Sequence, residues 1–308
     1  MRIAILGATS QIAKDLIVSF AAFSNHELSL YARKPETVSR WLNSINLIDL
    51  YTIKDFEAFN FDDNYDVILN FIGVGNPVAA MAMGNSIFDV TLKYDDLALN
   101  YVKQHPSCRY IFLSSGAAYG ENFYAPVKID SMAAIPINDL QPQDWYSVAK
   151  LHAECRHRAL HHLPIIDVRV FNYFSHTQDM NARFFITDIM RAIRTKTILQ
   201  TSYEPIVRDF IHPSDFFSLI GKILNSPKIN VAVDCYSRAP VEKHVLLSAM
   251  QETFDLRYEI IQSATTINAT GNKTYYFSNN TRAADFGYKP TLTSLEAVMQ
   301  EATLVCCS

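Results

Sequence analysis

Tyr146 and Lys150 stand four apart in the run Tyr146-Ser147-Val148-Ala149-Lys150, the spacing that sets two side chains on one face of a helix. A phenol paired with an ammonium can move a proton to or from a carbonyl or alcohol oxygen. Free tyrosine, with a pKa of about 10, is a poor base, and the neighbouring charge favours its phenolate. Ser115 supplies a third group. It lies in Ser114-Ser115-Gly116-Ala117-Ala118-Tyr119-Gly120, which closes a strand-like run at 109–114. Ligands of a parallel sheet bind at such strand ends, so the Ser115 hydroxyl can meet the same oxygen and stabilise its developing charge. The chemistry implied is hydride transfer at a carbon bearing that oxygen, with Lys150 also able to hold a nicotinamide ribose. An amphipathic surface pair is the plain alternative for Tyr146 and Lys150; the serine at a strand end weighs against it.

Hydride transfer requires a dinucleotide. Gly7-Ala8-Thr9-Ser10-Gln11-Ile12-Ala13 follows the first strand-like run and opens a helical one, where a dinucleotide fold places its glycine-rich turn. Only Gly7 of the usual three glycines is kept; Ser10 and Ala13 replace the others. Gly7 permits the tight turn, small Ser10 lets backbone approach a pyrophosphate, and Ala13 lets helix and strand pack closely. Gly7, Thr9, Ser10, Gln11 and Ile12 are therefore the expected contacts to the dinucleotide, joined by Tyr146 and Lys150 at the reacting end. The second strand-like run ends Leu30-Tyr31-Ala32-Arg33-Lys34, without the acidic residue that would hold an NAD ribose. Arg33 and Lys34 instead offer cations to a 2′-phosphate, which favours NADP(H), with NAD as the alternative.

The elements that must position these groups alternate along the first half. Strand-like runs at 2–6, 27–32, 65–72, 109–114 and 165–171 are separated by helical patterns at 11–23, 86–103 and 145–161. The alternation predicts an α/β fold, a doubly wound parallel sheet of Rossmann type. Beyond Asn172 the rhythm is irregular, with helices expected near 182–195, 213–224, 241–254 and 291–305 and strands at 198–200 and 231–235. The expected division is a dinucleotide-binding domain over 1–172, rejoined by about 208–235, and a smaller C-terminal substrate-binding lobe from 173–207 and 236–308. No internal repeat or low-complexity run is present.

Composition narrows the class. With 49% hydrophobic and 19% charged residues and a formal net charge of -4, the chain reads as globular, without a broad electrostatic footprint for nucleic acid or an anionic membrane. No apolar stretch approaches the roughly 18 to 20 residues of a membrane span. The strand-like run begins directly after Met1, leaving no room for a signal peptide, and the cytoplasm is the expected compartment. Cys108, Cys155, Cys235, Cys306 and Cys307 form no metal-ligand spacing and suit a reducing compartment. His157, His161 and His162 read as a solvated helix end, and no metal is expected.

These motifs together resemble the extended short-chain dehydrogenase/reductases, the NAD-dependent epimerase/dehydratase family of nucleotide-sugar enzymes, almost end to end. Arg169-Val170-Phe171-Asn172-Tyr173 is similar to the family segment whose Asn approaches the substrate diphosphate. Arg208-Asp209-Phe210-Ile211-His212-Pro213-Ser214-Asp215 resembles its RDFxxVxD stretch, in which the Arg contacts the substrate nucleotide. Asp285-Phe286-Gly287-Tyr288-Lys289-Pro290 resembles its closing LGWxP signature, which is structural. The resemblance thus implies Ser115, Asn172 and Arg208 at the substrate, and a homodimer formed through two helices of the main domain. Two departures stand out. The acid pair of the sugar 4,6-dehydratases is replaced by Gly116 and Ala117, and the family's Arg-Pro-Gly-Asp segment is missing near 268–273.

The favoured function is NADPH-dependent reduction of the 4-keto group of a nucleotide-linked 4-keto-6-deoxy sugar. A nucleotide-sugar 4-epimerase with retained NAD is the first alternative. A non-catalytic dinucleotide-binding sensor is the second; it has no need of Tyr146 and Lys150.

Overall fold

The computed structural model describes residues 1–74, 77–120, 123–261 and 273–307. Its first half runs β1 Arg2–Leu6, α1 Gln11–Phe23, β2 Glu27–Tyr31, α2 Pro35–Ser44, β3 Thr52–Lys54, β4 Val67–Asn70, α3 Pro77–Met83, α4 Ser86–Gln104, β5 Arg109–Ser115, α5 Trp145–Ala159 and β6 Ile165–Val170. The remainder comprises β7 Asn172–Tyr173, α6 Phe185–Thr195, β8 Ile198–Ser202, β9 Val207–Arg208, β10 Phe210–Ile211, α7 Pro213–Leu224, β11 Val231–Cys235, β12 Val241–Glu242, α8 Lys243–Phe254, β13 Arg257–Ile261, β14 Tyr275–Tyr276 and α9 Ser294–Cys307.

Seven strands form one parallel sheet in the order β11-β6-β5-β4-β1-β2-β3. β1 lies inside it with Ile3, Ala4, Ile5 and Leu6 wholly buried, as expected of a strand covered on both faces. One face carries α1 and α7, whose Leu16, Ile17, Phe216 and Ile220 close on Ile3, Ile5 and Leu69. The other carries α4 and α5, with Ala98, Leu99, Val102 and Ala153 against Leu6, Ile68 and Phe112. The strand order reverses between β1 and β4, and the crevice beyond the strand ends at such a reversal is where open α/β sheets bind ligands.

A separate apolar cluster joins α6, α8 and α9 through Ile189, Met190, Leu246, Met250 and Val298. Small sheets link it to the crevice: β10 pairs with β7, and β9 is flanked by β12 and β14. Phe174, one residue past β7, belongs to this second cluster, whereas Tyr173 packs against the main core.

The structure also revises several boundaries. α2 and β3 occupy a stretch whose sequence offers no clear period; Pro35 sits at the start of α2, where its fixed φ suits a first helical turn. Val241 and Glu242, expected as helix, pair with β9 instead. α9 begins only at Ser294 because Thr293 and Glu296 cap each other reciprocally: Glu296 N donates to Thr293 Oγ1 at 3.2 Å, and Thr293 N donates to Glu296 Oε2 at 2.7 Å. β13, not anticipated from the sequence, pairs with β8.

Candidate active site

The β1–α1 turn is shaped by Gly7. Its φ of +84° lies in the left-handed region, and a Cβ there would stand 3.0 Å from Ile72 Cγ1 and 3.1 Å from the Ile72 nitrogen. Gly7 N and Ala8 N both donate to the Tyr31 carbonyl, at 2.9 and 3.0 Å, which locks the turn to the end of β2. Ala13, fully buried, lets α1 lie close on the sheet. The first residues of α1 then open onto a cavity of about 1510 Å³, which Thr9, Ser10, Gln11 and Ile12 line at one end.

The same cavity is lined by Ser115, Tyr146, Lys150, Asn172 and Arg208. Ser115 ends β5, and its Oγ accepts from Ala117 N at 3.1 Å at the head of a 3-10 turn over Gly116–Tyr119. Tyr146 and Lys150 share a face of α5, and both line the cavity beside Ser115. Burial raises the phenol's pKa, and the neighbouring Ser115 hydroxyl opposes this. Lys150 Nζ donates to the Leu113 carbonyl at 2.7 Å and lies 4.3 Å from the centre of the Phe112 ring. Burial pulls its pKa down to about 8, against the charges of Glu154, Asp95 and Asp167. An ammonium this poorly solvated titrates within reach of neutral pH and is suited to holding a phenolate.

Arg208 is buried, and burial lowers its pKa to about 10. Its guanidinium donates to the Val207 carbonyl at 2.9 Å and to the Lys273 carbonyl at 2.8 Å, and faces the Tyr276 ring at 5.9 Å. Asn172 Nδ2 donates to the Asp209 carbonyl at 3.3 Å. Arg33 and Lys34 lie elsewhere: both are exposed after β2, and neither lines the cavity.

Three further features shape the site that no local sequence pattern marks. Tyr276, on β14, lines the cavity with its hydroxyl 3.3 Å from Ser115 Oγ, and its ring packs edge-on against Phe123 and Phe171. Lys273 also lines the cavity, near the place where the Arg-Pro-Gly-Asp segment is missing; the rest of 268–273 lies outside the described residues. No local period marks either residue, although the paired Tyr275-Tyr276 was an available hint. Third, Gly116 is sterically required, since a Cβ there would lie 2.3 Å from the Phe171 ring.

His157 does not lie on a solvated helix end. His161 and His162 are exposed at the end of α5, as expected, but His157 is fully buried between Asp167 and Asp95, at 2.6 and 2.7 Å. Burial opposes its charge, yet the two carboxylates prevail and raise its pKa to about 9. Among the described residues no group of His, Cys, Asp and Glu side chains could hold a metal ion, and no helix is long and apolar enough to cross a membrane.

A parallel doubly wound sheet with Ser, Tyr and Lys meeting at its ligand-binding edge defines the short-chain dehydrogenase/reductase class. The chain belongs, within that class, to the NAD dependent epimerase/dehydratase family, whose model matches residues 3–234. No curated protein matches the sequence significantly. Several solved structures share the fold at low identity. UDP-N-acetylglucosamine 4-epimerase from Methanobrevibacter ruminantium M1, in complex with UDP-N-acetylmuramic acid, is 16% identical with a TM-score of 0.80, over 99% of this chain and 98% of that one. UDP-glucuronic acid 4-epimerase from Bacillus cereus, in complex with UDP-glucuronic acid and NAD, is 14% identical with a TM-score of 0.77, over 100% and 99%. dTDP-glucose 4,6-dehydratase from Bacillus anthracis, in complex with NAD, is 14% identical with a TM-score of 0.77, over 98% and 96%.

Proposed function

We propose that this protein reduces the 4-keto group of a nucleotide-linked 4-keto-6-deoxy sugar, with NADPH as reductant. The observation that carries the reading is the meeting of Ser115, Tyr146 and Lys150 in a cavity that continues to the Gly7 turn. The site fits an anionic dinucleotide and an anionic substrate: Lys14, Lys150, Arg208 and Lys273 line it, against the single carboxylate of Asp179 among the described residues. A bound nicotinamide supplies the hydride. Tyr146 gives its proton to the substrate oxygen as that oxygen gains charge, and Ser115 donates a hydrogen bond to it. The Lys150 ammonium stabilises the phenolate left behind. Asn172 and Arg208 take the substrate's diphosphate and nucleotide. The bound UDP-sugars and NAD of the structures that share the fold support this ligand class.

Dehydration is disfavoured, because the Phe171 ring leaves no space for an acidic side chain at Gly116. A 4-epimerase with retained NAD is the second reading. It is favoured by the placement of Arg33 and Lys34, the cations expected at a 2′-phosphate, outside the cavity lining. Residence in the cytoplasm, supported by five free cysteines, and a homodimer through α4 and α5 complete the proposal.

The deciding experiment incubates the purified protein with NADPH and a panel of 4-keto-6-deoxy nucleotide sugars. Consumption of NADPH matched by sugar product supports the reductase. Inversion at C4 of a UDP-sugar by protein that keeps its NAD, with no net nicotinamide turnover, replaces it with the epimerase. Dinucleotide binding without either reaction leaves the sensor.

A further inference from the structure

Asp15 is a carboxylate on α1, one helical turn beyond Gln11 and close to the turn expected to receive a pyrophosphate. It is 8% exposed, and like charge makes it a poor neighbour for phosphate unless it has another task. Its partners show that task. Gln11 Nε2 donates to both of its oxygens, at 3.3 and 3.2 Å. Thr177 Oγ1 donates to Oδ1 at 2.7 Å, and the Tyr173 phenol donates to Oδ2 at 2.8 Å. Burial holds that phenol's pKa well above its ordinary value, so it remains a donor. Gln11 Nε2 also bonds Thr177 Oγ1, and reaches Ser175 Oγ at 3.3 Å. One carboxylate therefore gathers the first helix and the crossover segment 173–177.

The other side of that segment is gripped as firmly. His176 donates through its backbone nitrogen at 2.6 Å, and bonds through Nδ1 at 2.7 Å, to Glu301 of α9. Successive residues thus face alternately toward α1 and toward the C-terminal cluster, where Phe174 is packed. Gln11, Tyr173 and Gln178 belong to the cavity wall, so the tie lies at the edge of the dinucleotide end rather than on remote surface.

We propose that Asp15 is a positioning residue that latches the 173–177 strap to Gln11 across the dinucleotide turn, and that this latch must open for a nicotinamide dinucleotide to enter or leave. The inference rests on the proposed function only in taking a dinucleotide as the ligand of that turn; it holds for the reductive and the epimerising reading alike.

The test measures NADPH release by stopped-flow fluorescence, chasing preloaded protein with excess NADP. Thr177→Val removes one hydroxyl at an exposed position where folding is not at stake, and Asp15→Asn removes the charge. Each should speed release about ten-fold, the size expected for losing a hydrogen bond to a charged acceptor. Because both act on one latch, the double variant should release NADPH no faster than the quicker single variant. Release at the wild-type rate in both single variants, or strictly additive effects, overturns the inference alone. Failure of the wild-type protein to bind either NADPH or NADH overturns the functional reading and the inference with it.

Discussion

Replacing Lys150 with methionine should abolish turnover and yet stabilise the fold at neutral pH. The ammonium is 4% exposed, and burial lowers its pKa from 10.5 to about 8 even with Glu154, Asp95 and Asp167 acting in the opposite direction. At 1.36 kcal/mol per pKa unit, the charged form is disfavoured in the folded chain by about 3 kcal/mol relative to the unfolded one. Methionine is close in volume and carries no charge. It forfeits the bond to the Leu113 carbonyl and the contact with the Phe112 ring, together about 1–2 kcal/mol. A net gain of about 1–2 kcal/mol remains, or roughly 2–4 °C in Tm. The pH dependence gives a second handle. The folded pKa lies below the unfolded one, so between about pH 8 and 10.5 the unfolded chain binds more protons and wild-type stability rises with pH. The variant's advantage should therefore be full below about pH 8 and shrink toward 10.5. Thermal melts of both proteins across that range measure it. A Lys150→Met variant that melts below wild type at neutral pH, or a gap that does not narrow, would refute the argument from burial.

Gly116→Asp should destabilise by about 1–3 kcal/mol or more, because the new Cβ meets the Phe171 ring at 2.3 Å, and should confer no dehydration; adding Phe171→Ala should restore part of the melting temperature. His157→Gln should cost about 3–5 kcal/mol in urea unfolding near pH 6, since Asp95 and Asp167 lose their shared cation. With the folded pKa raised to about 9, that deficit should be full below about pH 6.5 and diminish as pH rises through 9. Although Arg33 lies outside the cavity lining, Arg33→Ala should weaken NADPH binding about ten-fold and leave NADH binding unchanged in fluorescence titration; equal affinities for wild type and variant would remove Arg33 as the partner of a 2′-phosphate.

The parts of the site that sequence could show were those set by local geometry. A turn after a buried strand needs Gly7, a strand end carries Ser115, and helical spacing aligns Tyr146 with Lys150; each relation spans a few residues. Tyr276 reaches Ser115 across 161 positions, and Asp15 meets Tyr173 across 158, so no period along the chain could announce them. His157 misled for the same reason. It is flanked by Arg156 and Arg158, which suggest a solvated face, and only the folded sheet shows that Asp95 and Asp167 enclose it. The second half was harder because its strands are two to five residues long, and pairings such as β9 with β12 and β14 are decided by tertiary contact rather than by alternation.

The most direct test of the central claim is single-turnover reduction of a 4-keto-6-deoxy nucleotide sugar by protein preloaded with NADPH, compared with Tyr146→Phe. Loss of the phenol proton should slow nicotinamide oxidation by about 10²- to 10⁴-fold while NADPH affinity is unchanged. Equal rates in the two proteins would mean that the Tyr146 hydroxyl takes no part in the chemistry.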